Sequence, residues 1–383
     1  MAGRWRRAWE FVCGHSLLLV AGTIAALVWA NAAPSSYVRF SHRAEFLVND
    51  VGMVFFFALA AKEILESMLP GGALDSPRHA ALPLLAAAGG MLVPGLFYAS
   101  QAAALGRPDL ARGWAIPCAT DIAFSYLTAR FIFPRRHPAI PFLLLLAIAD
   151  DAFGLVILAL LYPTGSVSIL NCAALMLPAL GIAWWLRRRE IRSFWPYVIA
   201  AGSCSWAALY AGGFHPALAL VPVIPFMPHA PRDLGVLDER EKALHDTLNR
   251  FERWWEKPVQ VVLLFFGLVN AGVPLGSLGA PTVMVVSSLA IGKPLGVVLL
   301  CGLGVAAGLR LPASVRLREL AVLGVTAGIG FTVALFFATA AFPHGGVILD
   351  EAKMGALLSF ALAPIAIVLG RALGLRPHTS DNG

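Results

Sequence analysis

The chain has 383 residues, of which 58% are hydrophobic and 13% are charged, and its mean hydropathy is +0.75. Soluble domains carry about 25% charged residues, so this composition excludes a soluble globular protein and indicates a polytopic membrane protein. The formal net charge of +7 is not a signal for nucleic-acid binding, because the basic residues follow the loops between apolar stretches.

Apolar stretches of roughly 20 residues, the length that spans a bilayer as a helix, recur about twelve times along the chain. We therefore predict an all-α polytopic fold with about twelve transmembrane helices, in a single transmembrane domain over residues 1–383. The predicted spans start near these residues: Gly14, Ala44, His79, Arg112, Ala139, Ser166, Ser193, Gly213, Pro258, Thr282, Arg318 and Met354.

The basic residues divide unevenly between the two alternating sets of loops. The set that begins with the N-terminal arginines holds most of the 29 Lys and Arg residues. The loops of the other set hold only these: Arg39, Arg43, Arg107, Arg112 and Lys353. The positive-inside rule therefore predicts that both termini are cytoplasmic.

The second predicted span carries ionisable residues that a bilayer penalises. Asp50 follows Asn49 near its start, and Lys62, Glu63 and Glu66 lie in ALAAKEILES. An ionisable residue at membrane depth is a functional hypothesis by default.

Two predicted spans contain residues that interrupt helices. In GWAIPCATDIAFSYL, Pro117 precedes Thr120 and Asp121, and a proline can break a helix and leave backbone groups free. The later segment 319–342 has three glycines near its middle. Interrupted helices at corresponding places in two halves of a chain indicate inverted-topology repeats with two discontinuous crossing helices and a midplane site. Asp121 is placed to offset the positive N-terminal ends of the half-helices there, and Lys293 is placed to offset their negative C-terminal ends.

The stretch LLLLAIADDAFGLVILALL places Asp150 and Asp151 side by side in an apolar run. Adjacent residues of a helix point about 100° apart, so the two carboxylates face different neighbours. Lys293 is the basic residue of its own apolar segment and the natural ion-pair partner of Asp150, either for function or only to fix helix packing. Asp121 and Asp151 have no such base left, and their oxygens suit a small hard cation such as Na⁺.

The one long connection covers residues 229–256, where apolar residues recur at helical spacing opposite charged ones. This pattern predicts a cytoplasmic connecting segment with an amphipathic helix on the membrane interface. The apolar positions are Leu244, Leu248, Phe251 and Trp255.

Seven motifs taken together resemble the NhaA-type sodium/proton antiporters over most of the chain. In chain order they are LVNDVGMVFFF, LLAAAGGMLVPGLFY, GWAIPCATDIAF, ADDAFG, LVNAGV, IGKPLG and AGIGFTVALFFA. The resemblance implies a secondary antiporter of the bacterial inner membrane that exports Na⁺ or Li⁺ against incoming protons. It implies no cofactor, no enzymatic activity and no nucleic-acid partner; membrane lipids surround the protein, and Na⁺ and protons are its substrates.

Carried over by position, the resemblance implies that Asp121 and Asp151 bind the sodium ion and the protons, with Thr120 beside them. Asp150 and Lys293 match the family's salt-bridging pair, which is linked to electrogenic exchange.

A second group of residues matches the accessory and pH-regulatory parts of the family. Asp50 corresponds to an accessory acid of the second span. The candidate pH-regulatory residues are Lys62, Glu63, Glu66, His215 and Glu252.

Three departures from the family pattern limit this transfer. The charge order of ALAAKEILES differs from the family's G-L-E-V-K-R-E, which puts pH regulation in question. The short interval from Asn31 to Asn49 has no room for the β-hairpin used in dimer contact, so we expect a monomer or a weak homodimer. In A-D-D-A-F-G, Phe153 is expected to reshape the wall of the site.

Competing functions make different demands on the sequence. An intramembrane aspartyl protease requires G-x-G-D, but Gly330 is followed by Phe331; a prenyltransferase requires D-D-x-x-D, which the acidic pair lacks. A sodium-coupled symporter of an organic solute on the same fold, or a non-transporting membrane sensor, remains as an alternative to the antiporter.

Overall fold

The computed structural model describes residues 17–72, 74, 77–134, 137–229, 246–312 and 315–375, and all regular structure within these ranges is helical. Helices α1 to α6 are Leu17–Ala32, Pro34–Met68, Pro77–Ala104, Ile122–Ile132, Ala139–Leu161 and Ile169–Arg188. Helices α7 to α12 are Tyr197–Ala211, Thr247–Asn270, Ala280–Ala306, Leu317–Ala327, Phe331–Ala341 and Val347–Ala372. Three 3₁₀ segments complete the order: Pro108–Cys118, Pro216–Leu218 and Ile224–Phe226.

Six of these helices, α2, α3, α5, α6, α9 and α12, are long and apolar enough to cross a membrane. The pair α10 and α11 counts as a further span if its two halves, which meet at an angle of 55°, are taken together. The protein is therefore a multi-pass, all-helical membrane protein, as its composition predicts.

Three helices wind through a π-helical turn. In α2 the π turn is Phe46–Gly52, in α7 it is Tyr197–Gly202 and in α9 it is Ser288–Gly292. Such turns cluster at functional sites, because they rotate the side chains that follow. The first holds Asp50, and the third ends immediately before Lys293.

Two predicted spans take another form in the structure. The stretch after Gly213 forms no continuous helix but short 3₁₀ turns, because its closely spaced prolines remove the amide donors that a helix needs. The span expected from Pro258 begins earlier, at Thr247, and carries this proline within it. Of the predicted connecting segment, residues 230–245 lie outside the described residues, and residues 247–256 form the first turns of α8.

The chain divides into two compact units. The first unit contains Met1–Asp75 and Leu155–Gly272. In it α1 packs tightly on α8, where a Cβ at Gly22 would collide with the Leu264 carbonyl. The Tyr37 hydroxyl donates to the Val269 carbonyl (2.8 Å) and accepts from the Gly272 amide (3.0 Å). Residues 34–45 are helical, so no β-hairpin forms there.

The second unit contains Ser76–Gly154 and Val273–Gly383. Its centre is the contact of α3 with α9, where Gly89 and Gly296 face each other. A Cβ on either glycine would collide with the carbonyl of the other, so the two backbones approach as only glycines allow. Both interrupted segments lie in this unit.

Candidate ion-exchange site

The site of the second unit is built where two interrupted segments meet. The 3₁₀ helix ends at Cys118, and the chain runs extended through Thr120 until α4 begins at Ile122. The second interruption separates α10 from α11 at Gly328–Gly330. The Asp121 amide donates to the Ile329 carbonyl (2.7 Å), and a Cβ at Gly330 would lie only 2.6 Å from the Ala119 carbonyl oxygen.

Asp121 lies at the N-termini of two helices at once. As N-cap of α4, its Oδ1 accepts from the Phe124 amide (3.4 Å). Its Oδ2 accepts from the amide of Thr332 (3.3 Å) and from the Thr332 hydroxyl, at the start of α11. A carboxylate there satisfies orphan amides and opposes the positive helix ends.

Lys293 provides the opposite charge at a helix C-terminus. Its Nζ donates to the carbonyl of Cys118 (2.7 Å), and Cys118 is the last residue of the 3₁₀ helix. The same Nζ lies 3.0 Å from Asp150 Oδ2. The side chains of both partners are 0% exposed. Two buried charges are expensive unless they pair and bond further groups; here Lys293 and Asp150 pair with each other, and Lys293 also bonds the Cys118 carbonyl.

Thr120 bonds to the same acid from the first interruption. Its Oγ1 lies 2.6 Å from Asp150 Oδ2 and 2.9 Å from the Ala327 carbonyl. Thus one oxygen of Asp150 has two partners, while the other, Oδ1, is buried and accepts no hydrogen bond from any described residue. A buried oxygen without a donor is rare and indicates a place for a proton or a cation.

Asp151 follows Asp150 on α5 and is half-buried. Helical geometry turns its carboxylate about 100° from that of Asp150. Contacts within the second unit thus connect Thr120, Asp150 and Lys293. Asp121 joins them as the chain neighbour of Thr120, and Asp151 by its position on the helix.

Thr332 is a site residue that the sequence did not single out. Its hydroxyl and amide both bond Asp121. The available signal was a hydroxyl two residues after the glycine interruption, in GIGFTVALFFA.

Three of the candidate pH-regulatory residues form an ion cluster in the first unit. The buried Lys62 lies 2.5 Å from Glu66 Oε2 and 2.7 Å from Glu252 Oε2. Glu63, on the same helix, is exposed. The cluster connects α2 to the first turns of α8.

Asp50 and His215 approach each other elsewhere in the first unit. His215 Nδ1 lies 3.9 Å from Asp50 Oδ1 and accepts from the Ala217 amide (3.4 Å). Trp206 Nε1 donates to the Asp50 carbonyl (2.8 Å). These bonds fix the π turn of α2 against α7 and the first 3₁₀ turn that follows it.

The family model described as Na+/H+ antiporter 1 matches residues 10–370. The chain belongs to this family. Two of the relatives, both called Na(+)/H(+) antiporter NhaA, come from Desulfitobacterium hafniense (44% identical, covering 96% of each chain) and Geobacter metallireducens (47% identical, covering 94% of this chain and 96% of the relative). The family resemblance read from the seven motifs is thereby confirmed.

A solved structure shares the fold of this antiporter-family chain. It is that of the sodium proton antiporter MjNhaP1 from Methanocaldococcus jannaschii, with a TM-score of 0.55 and 14% sequence identity over 94% of this chain and 90% of that one. Within the described ranges no three His, Cys, Asp or Glu side chains converge as a metal site.

Proposed function

We propose that this antiporter-family protein exchanges intracellular Na⁺ for external protons by competition of the two ions for the carboxylates of the second unit. The observation that carries the proposal is Asp150: one of its oxygens is held by Lys293 and Thr120, and the other is buried without a described partner. Asp151 lies beside it and Asp121 at the adjoining helix ends. Asp121 and Asp151 are the proposed carboxylate ligands of Na⁺, with Thr120 beside them.

The ion pair provides the coupling in this proposal. A carboxylate out of water requires a positive partner, which is Lys293, a proton or a cation. Lys293 also donates to the Cys118 carbonyl, so it keeps a partner when Asp150 is neutralised. Protonation of Asp150 and Asp151 and binding of Na⁺ then exclude each other, and two acids allow more than one proton per sodium, which makes the exchange electrogenic. Li⁺, a smaller hard cation, is the expected second substrate.

The proposed architecture is one transport domain over residues 1–383, with about twelve spans and both termini cytoplasmic in a bacterial inner membrane. The two interrupted segments are proposed to be crossing helices of inverted repeats, which is supported by their similar composition and by the contacts between their breaks. Alternating exposure of the site to the two sides would then complete the exchange cycle.

The accessory residues receive a regulatory role in this proposal. The cluster of Lys62, Glu66 and Glu252 places charged groups between two helices, with Glu63 next to it, and the Asp50–His215 contact is a second place where protonation changes a charge pair. No cofactor or enzymatic step is required, and the protein is proposed to act as a monomer or weak homodimer in its lipid.

The test is reconstitution in liposomes with an acidic interior, while luminal pH is followed as Na⁺, Li⁺ or K⁺ is added outside. Prompt alkalinisation by Na⁺ is expected for the natural protein and its loss for Asp151→Asn and Asp150→Asn. The matched control is Asp109→Asn, which removes an exposed acid of the same unit, paired with Arg107. Folded protein that moves no protons with any cation between pH 6 and 9 contradicts the proposal and favours the symporter or the sensor.

A further inference from the structure

A cavity of about 260 Å³ lies where several helices of the second unit end. Its wall is formed by the end of α4 with the turn after it, the start of α10 and the residues after α12. The lining residues on which the argument depends are Phe133, His137, Arg316, Arg318, Glu319 and Leu375. None of them belongs to the ion-exchange site.

The wall of this cavity has one guanidinium more than it has carboxylates. Glu319 is buried and already bonded, since its Oε1 accepts from Arg318 Nε (2.9 Å) and its Oε2 from the Arg316 amide (2.9 Å). The exposed guanidinium of Arg316 donates to no described residue. It therefore offers a planar fork of N–H donors that matches a phosphate group.

The turn after α4 adds a second donor and an apolar surface. His137 Nδ1 accepts from the Ala139 amide (3.2 Å), which leaves Nε2 as the ring's donor. Partial burial lowers the pKa of His137. The ring stacks on Phe133, with centroids 5.1 Å apart, and Leu375 adds a further apolar wall.

The position of the cavity suits an amphiphile. Apolar helices end or begin around it at Ile132, Leu317 and Ala372, as transmembrane helices do at the level of lipid headgroups. Arg316 and Arg318 belong to the set of loops that carries the basic excess, where anionic lipids are attracted.

We infer that this cavity binds the phosphodiester headgroup of an anionic phospholipid, with the Arg316 guanidinium on the phosphate oxygens and His137 as a further donor. The apolar part of the lining favours a lipid over free phosphate, because an inorganic ion gains nothing from Phe133 and Leu375. A lipid held there would fasten the ends of α4 and α10, which are halves of the two interrupted segments.

The test uses the full chain, purified and stripped of lipid in a neutral detergent, with lipid binding followed by native mass spectrometry. Phosphatidylglycerol is expected to bind more tightly than phosphatidylcholine with the same acyl chains. Arg316→Gln is expected to lower the phosphatidylglycerol affinity about tenfold, the effect of losing about 1.4 kcal/mol from a charged hydrogen bond. Arg316→Lys keeps the charge but loses the planar fork of donors, so its affinity for phosphatidylglycerol should lie between those of the natural protein and Arg316→Gln.

The matched control is Arg310→Gln, which removes an exposed arginine of the same unit outside the cavity and should bind as the natural protein does. Equal affinity for the two lipids, or equal losses in Arg310→Gln and Arg316→Gln, overturns the inference. Inorganic phosphate is titrated separately: if it binds alone with the same dependence on Arg316, the lipid assignment is wrong. Na⁺-driven proton movement is measured on the same variants as a separate test, because Arg316 lies outside the exchange site. If the natural protein moved no protons, the proposed exchange would be contradicted, but the measured lipid affinities would still stand.

Discussion

The charge balance of the site depends on single side chains whose partners are all buried. Removing one member of a buried ion pair leaves the other uncompensated and costs about 3–5 kcal/mol. We therefore expect Lys293→Ala to lower the denaturation midpoint of the purified protein strongly, and Lys293→Ala combined with Asp150→Asn to lower it less. A double variant as unstable as Lys293→Ala alone would show that the uncompensated Asp150 carboxylate is not the cause of the instability.

Thr332 is expected to position Asp121 rather than to act as a separate ligand. Thr332→Val removes one charge-assisted hydrogen bond, worth about 1.5–3 kcal/mol, and should weaken Na⁺ activation of proton movement in proteoliposomes at least tenfold. Thr332→Ser should restore it. The control is Thr339→Val on the same helix, whose hydroxyl bonds only carbonyls of its own helix; equal effects of both valine variants would contradict the role of Thr332.

At the scale of elements, the sequence predicted the two interruptions because proline and glycine mark them. It also predicted that Asp121 and Lys293 would compensate opposite helix ends, since sign alone decides where a charge is stable. It could not predict which atoms of the two breaks meet, because the contact of Asp121 with Thr332 joins residues 211 positions apart. The transmembrane helix predicted after Gly213 was wrong, because the prediction relied on the high hydropathy of that stretch and gave too little importance to its prolines.

The close approach of α3 and α9 makes the glycines of α9 unequal. At Gly296 a Cβ would collide with the Gly89 carbonyl, whereas at Gly302 nothing lies within 4 Å. Gly296→Ala is expected to lower the melting temperature, and Gly302→Ala to leave it unchanged or raise it, because alanine favours a helix by about 1 kcal/mol. Thermal unfolding in detergent distinguishes the two; similar shifts would contradict the helix contact.

At the scale of the whole molecule, composition was sufficient to predict an all-helical membrane protein, since hydropathy integrates over many residues. The division into two units was not predicted, because it follows from which helices pack together. The first unit takes α1 and α2 from one part of the chain and α6 to α8 from another, which no local pattern encodes.

The orientation in the membrane can be checked with single cysteines in a background without the five natural ones. Gly276→Cys and Arg310→Cys place a thiol at exposed positions on either side of α9. If both termini are cytoplasmic, an impermeant maleimide added to intact cells should label Gly276→Cys, and Arg310→Cys only after permeabilisation. The reverse pattern would refute the orientation read from the basic residues.

The central claim is that sodium and protons exclude each other at the same carboxylates. The most direct test is titration calorimetry of purified protein with Na⁺ at one pH, in two buffers that differ in their enthalpy of ionisation. We predict that the binding enthalpies differ between the buffers, because Na⁺ displaces protons, and that Asp151→Asn abolishes this difference. Sodium binding with the same enthalpy in both buffers would show that no proton leaves, and would contradict exchange by competition.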